Sequence, residues 1–200
     1  MAQALAQRGQ LPAAFLAKRE NLYHVYNVLG GNSRGLELFA AAIKNMKGAG
    51  EDDAFLTSLA HSKKESQADM AIEAIYAHLP PPAQKLLQRL PAYHQPVPAE
   101  GLLKLGLDLA DEPQILLEQL RAVSLIEAQV EVNYEVIQYQ CVPLVLDWLR
   151  EKNLIDNDPQ WGSAAADYHL YLHHNERDGL TQAMAAHEAL YRVGLSLIHI

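Results

Sequence analysis

Gly30-Gly31-Asn32-Ser33-Arg34-Gly35 has the glycine spacing of a phosphate-cradling loop, GxxxxGK[ST]. That chemistry needs a lysine for the β- and γ-phosphates and a Ser or Thr for Mg²⁺ directly after the second glycine. Leu36 and Glu37 hold those places, and the pattern ahead of the loop is helical rather than strand-like. The segment is not a P-loop, and no other stretch of the chain fits one. It reads instead as a helix stop followed by a helix start. Asn32 and Ser33 are capping residue types, and the free N–H groups of a first turn, with Arg34 beside them, either hold an anion or simply turn the chain.

Other chemistry-bearing residues are fewer. His169, His173 and Glu176 fall at i, i+4 and i+7, so one helix face offers three potential metal ligands. A zincin site needs HExxH, and Leu170 follows His169, leaving no base on that turn. No metal site is assigned, and the face is read as solvated or partner-facing. Cys141 is the only cysteine, set among apolar residues at a strand-to-helix junction, and reads as an inert buried thiol. Asp52-Asp53 and Asp111-Glu112 fit helix N-terminal charges better than paired acid–base groups. No catalytic residue is assigned, and the chain is not read as an enzyme.

Composition bounds the rest. Of 200 residues, 50% are hydrophobic, enough to bury a core in one or two domains. A formal charge of −8 disfavours general binding to nucleic acid or anionic membranes. One cysteine excludes a disulfide framework and a thiolate zinc site. Apolar runs near 39–43 and 142–146 are far too short to span a membrane, and the first residues lack a signal-type pattern. A cytoplasmic protein is expected.

The elements that position these residues are mostly helices. Pro12 starts one, with Phe15, Leu22, Val25, Tyr26 and Leu29 at helical spacing up to Gly30-Gly31. Ser33 to about Lys47 forms the next, and Asp52-Asp53 caps a short one through Phe55 and Leu59. The polar run 62–66, with Lys63-Lys64, reads as a linker. Helices through Met70–Tyr76, Leu86–Leu90, Leu102–Leu105 and Leu117–Val123 follow, their leucine stripe being core. Ser124–Val130 and Tyr134–Gln140 read as two strands around a Glu131-Val132-Asn133 turn, and a helix from Pro143 closes the block. Several helices, one hairpin and a closing helix is the layout of a winged helix. Its presumed recognition helix, 112–123, sets Glu112 and Glu118 against Arg121 alone, and the hairpin adds Glu127, Glu131 and Glu135 with no Lys or Arg. Duplex DNA binding is not expected. Beyond Asn157, aromatic and alanine positions alternate in a helical hairpin turned at Asp178-Gly179, the knob-and-hole pattern of stacked repeats.

In this order the blocks resemble part of a STAND-type signalling ATPase of the NB-ARC-like class. The resemblance rests on 30–38, on Leu86-Leu87-Gln88-Arg89-Leu90-Pro91 with Pro96-Val97-Pro98, and on Tyr139-Gln140-Cys141-Val142-Pro143-Leu144-Val145. It covers roughly Leu22 to Leu149, and the hairpin beyond is similar to the tetratricopeptide arrays such proteins carry. The resemblance implies an upstream P-loop domain that binds ATP or ADP, over which the bundle and winged helix close. The family's Gly-x-Pro element, which lies against the base, maps onto Gly31, Asn32 and Ser33; its phosphate-sensing histidine maps onto Val142. Ser33 lacks the rigid proline ring, and Val142 neither donates to phosphate nor titrates.

The expected protein is therefore mainly α: a small helical bundle over 1–62, a winged helix with one β-hairpin over 68–153, and a TPR-like helical hairpin over 157–194. The Leu195–Ile200 tail resembles translated sequencing-adapter read-through and is expected to be an artefact. Gly31, Asn32, Ser33 and Arg34 are the residues the resemblance sets near a nucleotide. This segment is expected to hold no cofactor of its own, with ATP or ADP belonging to the full-length protein. Its expected role is regulatory, relaying the nucleotide state of the P-loop domain to repeats that bind protein partners, with no DNA or membrane partner. An autonomous winged-helix DNA-binding regulator and a nucleotide-independent helical adaptor are the alternatives.

Overall fold

Leu38-Phe39-Ala40-Ala41-Ala42-Ile43 is apolar without interruption, and a helix built on such a run is buried all round rather than on one stripe. That is the case for α1 (Ser33–Asn45), where each of these residues is buried. The structure is a computed structural model and describes residues 33–45, 54–55, 57–59, 67–131, 136–175 and 179–192. The chain divides into two compact units, 1–80 with 122–125, and 81–121 with 126–200.

In the first unit α1 packs against α2 (Gln67–His78), which buries Ala71, Ile72 and Ile75. Phe39 stacks on Phe55 with ring centroids 6.1 Å apart. Gln67 is buried and donates from Nε2 to the Leu59 carbonyl at 3.2 Å, so its amide is not left dry and unpaired. Helix α2, read from the sequence as the opening of the second block, thus sits with the first, and the division of the chain falls at Pro80.

Two prolines then open α3 (Pro81–Arg89), where a missing N–H breaks no helical bond. In the second unit the order is α3, a 3₁₀ turn (Leu90–Ala92), β1 (Val97–Pro98), α4 (Ala99–Lys104), α5 (Pro113–Ala122), β2 (Ile126–Glu131), β3 (Val136–Cys141), α6 (Pro143–Glu151), α7 (Pro159–His174) and α8 (Gly179–Arg192). The described residues are mainly helical with a small antiparallel sheet, ordered β1-β3-β2. Val97 faces Tyr139 across β1–β3, and Ile126 faces Cys141 across β2–β3. Pro96-Val97-Pro98 gives no strand signal by period; the short β1 forms because the edge of β3 supplies its partner, a contact made far along the chain.

Leu86, Leu87, Leu90, Leu102, Leu105, Leu117, Leu120, Val145 and Leu149 fill the core of this unit. Helix α6 starts at Pro143 behind Val142 and stops at Asn153, whose φ of 54° an asparagine tolerates. There Leu154 N–H reaches the Leu149 carbonyl at 2.9 Å and Asn153 N–H the Arg150 carbonyl at 3.1 Å, which closes the helix in a Schellman motif. Asp158 caps α7 through the Gln160 N–H at 3.0 Å, with Pro159 next. Helices α7 and α8 pack as a hairpin in which Ala165, Ala166, Ala185, Ala186 and Ala189 are the buried small positions. No helix among the described residues is long and apolar enough to cross a membrane.

Candidate functional site

Of the four residues set near a nucleotide by resemblance, Gly31 and Asn32 lie outside the described residues, and Ser33 and Arg34 are the first two residues of α1. Asp52, Asp53, Lys63, Lys64 and Glu176 also lie outside them. Val142, which the resemblance sets at a histidine position, is the N-cap of α6 and is buried without any side-chain cap. Cys141 ends β3; its thiol is half-buried, and burial pushes its pKa up to about 12, so it stays protonated at neutral pH.

The histidines of α7 separate. His173 and His174 are exposed, but His169 is 2% exposed. The solvated face read from the i, i+4 spacing does not include it. The reason is packing: the 3₁₀ turn and α8 cover that side of α7. Among the described residues no cluster of His, Cys, Asp or Glu is placed to hold a metal ion.

What converges instead is a joint between α7 and the module that precedes it. One half is an ionic clamp. Arg89, at the end of α3, is 5% exposed although arginines are rarely buried. Its Nη1 donates to the Leu105 carbonyl at 2.8 Å and to Asp108 Oδ1, and its Nη2 donates to Asp108 Oδ2 at 2.9 Å. The fork is thus bidentate, a geometry that only guanidinium offers. Its Nε faces Asp156 at 3.5 Å, and its plane lies over the Trp161 ring at 3.7 Å from the centroid. Lys85 meets Asp156 at 2.9 Å. The Arg89 hydrogen bond holds the Asp108 carboxyl below the ordinary range, against a smaller opposing effect of burial. For Asp156, burial pushes upward, but the Lys85 and Asp158 N–H contacts outweigh it, and the carboxyl also sits low. Both are ionised at neutral pH, so the clamp is fully charged.

The other half is a neutral latch. Tyr93, just past the 3₁₀ turn, is buried and donates from its hydroxyl to the Gly101 carbonyl at 3.0 Å. Burial holds that phenol well above its usual range. Tyr93 meets Tyr168 edge-on at 6.3 Å and His169 at 5.5 Å. His169 Nδ1 lies 2.7 Å from Gln182 Oε1; an amide oxygen only accepts, so Nδ1 carries the proton. Burial lowers the His169 pKa more than the Gln182 bond raises it, keeping the ring neutral. Gly101 is required here because a Cβ would stand 2.6 Å from the Tyr168 ring.

Sequence reasoning passed over Arg89, Asp108, Asp156, Tyr93 and Gln182. Arg89 carried a usable signal, since it sits three residues after Leu86 and therefore on the buried face of α3. Asp108 and Asp156 carried none: both lie in loops and gain meaning only from the residue they meet. No family model matches the chain, and no curated protein or solved structure matches it either.

Proposed function

We propose that this chain is a regulatory segment of a STAND-type signalling ATPase, a winged helix fused to the first helical pair of a protein-binding repeat array. The observation that carries the reading is the docking of the α7–α8 hairpin onto the module before it, through Arg89 at one point and Tyr93 at another. A relay needs such a stiff joint, because a displaced module moves the repeats only if the two turn together. The element order supports the winged-helix part: helix, short strand, two helices, then a ribbon whose second strand pairs with the first.

In this reading the chain turns over no substrate and holds no cofactor. A P-loop domain outside this chain binds ATP or ADP, and a protein ligand docks on the repeats, where Tyr171, Met184 and Tyr191 are 57%, 64% and 75% exposed. The module packs against protein rather than DNA, because α5 exposes Ile115 and Glu118, and the ribbon carries Glu127, Glu131 and Glu135 without a cation.

The test has two arms. The purified chain is expected to hydrolyse no ATP, and measurable turnover overturns the reading. With a P-loop domain joined from the uninterrupted reading frame, exchanging ADP for ATP is expected to change amide exchange within 81–151. Unchanged exchange there leaves a nucleotide-independent adaptor.

A further inference from the structure

A cleft of about 150 Å³ opens beside the 3₁₀ turn, where the last turns of α6 and α8 approach the start of α7. At about 30 Å³ per water it has room for several waters or one small polyatomic ion. His94, Arg150, Arg192, Trp161, Asp156 and Asp158 are among its lining residues.

The two carboxylates in this lining are already engaged. Asp156 is held by Lys85 and by the Asp158 N–H. Asp158 accepts from the Gln160 N–H at 3.0 Å and from Gln160 Nε2 at 2.9 Å. The arginines are engaged differently. Arg150 pairs with Asp147 at 3.0 Å and Arg192 with Glu188 at 3.2 Å, each within its own helix and with all four side chains about half exposed or more. Pairs of that kind are weak and readily exchanged for a better acceptor.

The charges that act on His94 agree. Burial is the main cause that lowers its pKa; Arg192 lowers it further, Glu188 opposes, and Arg150 and His169 add smaller lowering effects. The two guanidiniums thus act on the imidazole from both flanking helices, which agrees with their shared place in the cleft lining.

We propose that this cleft binds a phosphate-type dianion, with the Arg150 and Arg192 guanidiniums as its principal donors and His94 as the third. Each guanidinium presents paired N–H groups that match tetrahedral oxygens, and a neutral imidazole still donates through one ring nitrogen. The donors come from the 3₁₀ turn's exit, α6 and α8, so an occupied cleft ties together three elements of the joint. The proposal stands independently of the STAND reading, since it needs no nucleotide domain.

The experiment is a titration of the whole chain with inorganic phosphate at constant ionic strength, followed by the NMR signals of the His94 ring. Saturable shifts are expected, with the His94 pKa rising on binding because a nearby dianion favours imidazolium. Arg150→Gln and Arg192→Gln are each expected to weaken binding roughly tenfold or more, as loss of a charge-assisted hydrogen bond implies. Thermal denaturation of these variants without phosphate checks that the fold is intact. A parallel titration with a phosphoserine peptide distinguishes the sources: tighter binding than inorganic phosphate assigns the cleft to a phosphorylated side chain, weaker binding to free phosphate. Shifts that do not saturate, that chloride reproduces, or that persist in the folded Arg150→Gln/Arg192→Gln double variant overturn the proposal.

Discussion

The clamp around Arg89 and the latch around Tyr93 hold the same helix against the same module by opposite physics. The clamp sets a buried guanidinium against carboxylates that reach solvent, Asp108 being 57% exposed; the latch sets neutral polar groups and rings in the interior. A buried guanidinium gains little net stability from its partners, because its desolvation offsets most of the attraction, yet it cannot be left without them. A neutral hydrogen bond such as Tyr93 to the Gly101 carbonyl contributes about 1 kcal/mol. The clamp is therefore intolerant of partial change, and the latch is graded.

The largest expected effect follows from that intolerance. Arg89→Ala strips Asp156 of a cation, empties the space over Trp161 and leaves the Leu105 carbonyl without its donor. Asp156 keeps Lys85 and Asp108 reaches solvent, so the loss is that of the charge-assisted bonds and the stack, about 1.5–3 kcal/mol in urea unfolding. Arg89→Lys should recover little of it, since one ammonium cannot reproduce the paired bonds to Asp108 together with the stack on Trp161. If Arg89→Lys unfolds at the wild-type midpoint, the clamp is only a screened surface pair and the contrast with the latch collapses.

Next comes the floor of the latch. Gly101→Ala places a methyl group 2.6 Å from the Tyr168 ring, which is flanked by Tyr93 at 6.3 Å and stacked on Tyr171 at 6.0 Å. With both flanks occupied the ring has little room to yield, and overpacking of this kind costs about 1–3 kcal/mol. Pairing Gly101→Ala with Tyr168→Leu should give a strongly non-additive result. Simple additivity of the two losses would mean that α4 moves instead and that the contact is not tight.

Tyr93→Phe is milder. It keeps the ring contacts with Tyr168 and His169 and removes only the hydrogen bond to the Gly101 carbonyl. A loss of about 0.5–1.5 kcal/mol is expected, read from the same urea curves with an unchanged slope. A loss as large as that of Arg89→Ala would show that the latch, too, fails all at once.

The two halves also differ in how visible they are in the sequence. The leucines of α3 to α5, the hairpin strands and the alanine seams of α7 and α8 announce themselves by period, since each repeats one environment along a local element. Even so, β2 starts two residues later than alternation suggests, at Ile126, because pairing register rather than composition fixes a strand's end; Tyr134 and Glu135 lie outside the described residues. The joint has no period. His169 looked like one member of a solvated histidine face until Tyr93 and Gln182, far from it in sequence, turned out to enclose it. Arg89 was legible only as a charge on an apolar face, and its meaning came from Asp108 and Asp156, which no local pattern marks.

The smallest perturbation is pH, and it separates clamp from latch without any mutation. His169 and its neighbour His94 have folded pKa values lowered chiefly by burial, below the unfolded value of about 6.5. Above that pH both states are neutral at these sites and stability is complete. As pH falls below about 6.5 the unfolded chain takes up protons that the folded latch refuses, so stability declines until the lowered folded values are passed. Asp108 and Asp156 have folded pKa values below about 3.9, so their contribution is complete above that pH and disappears only as pH falls through those lowered values. Thermal midpoints measured from pH 8 to pH 3 should therefore fall in two stages, the first from the latch and the second from the clamp. His94→Gln/His169→Gln should flatten the first stage and leave the second. A single acid transition confined below pH 4, or a first stage that survives in the double variant, would show that the buried imidazoles do not distinguish the two halves of the joint.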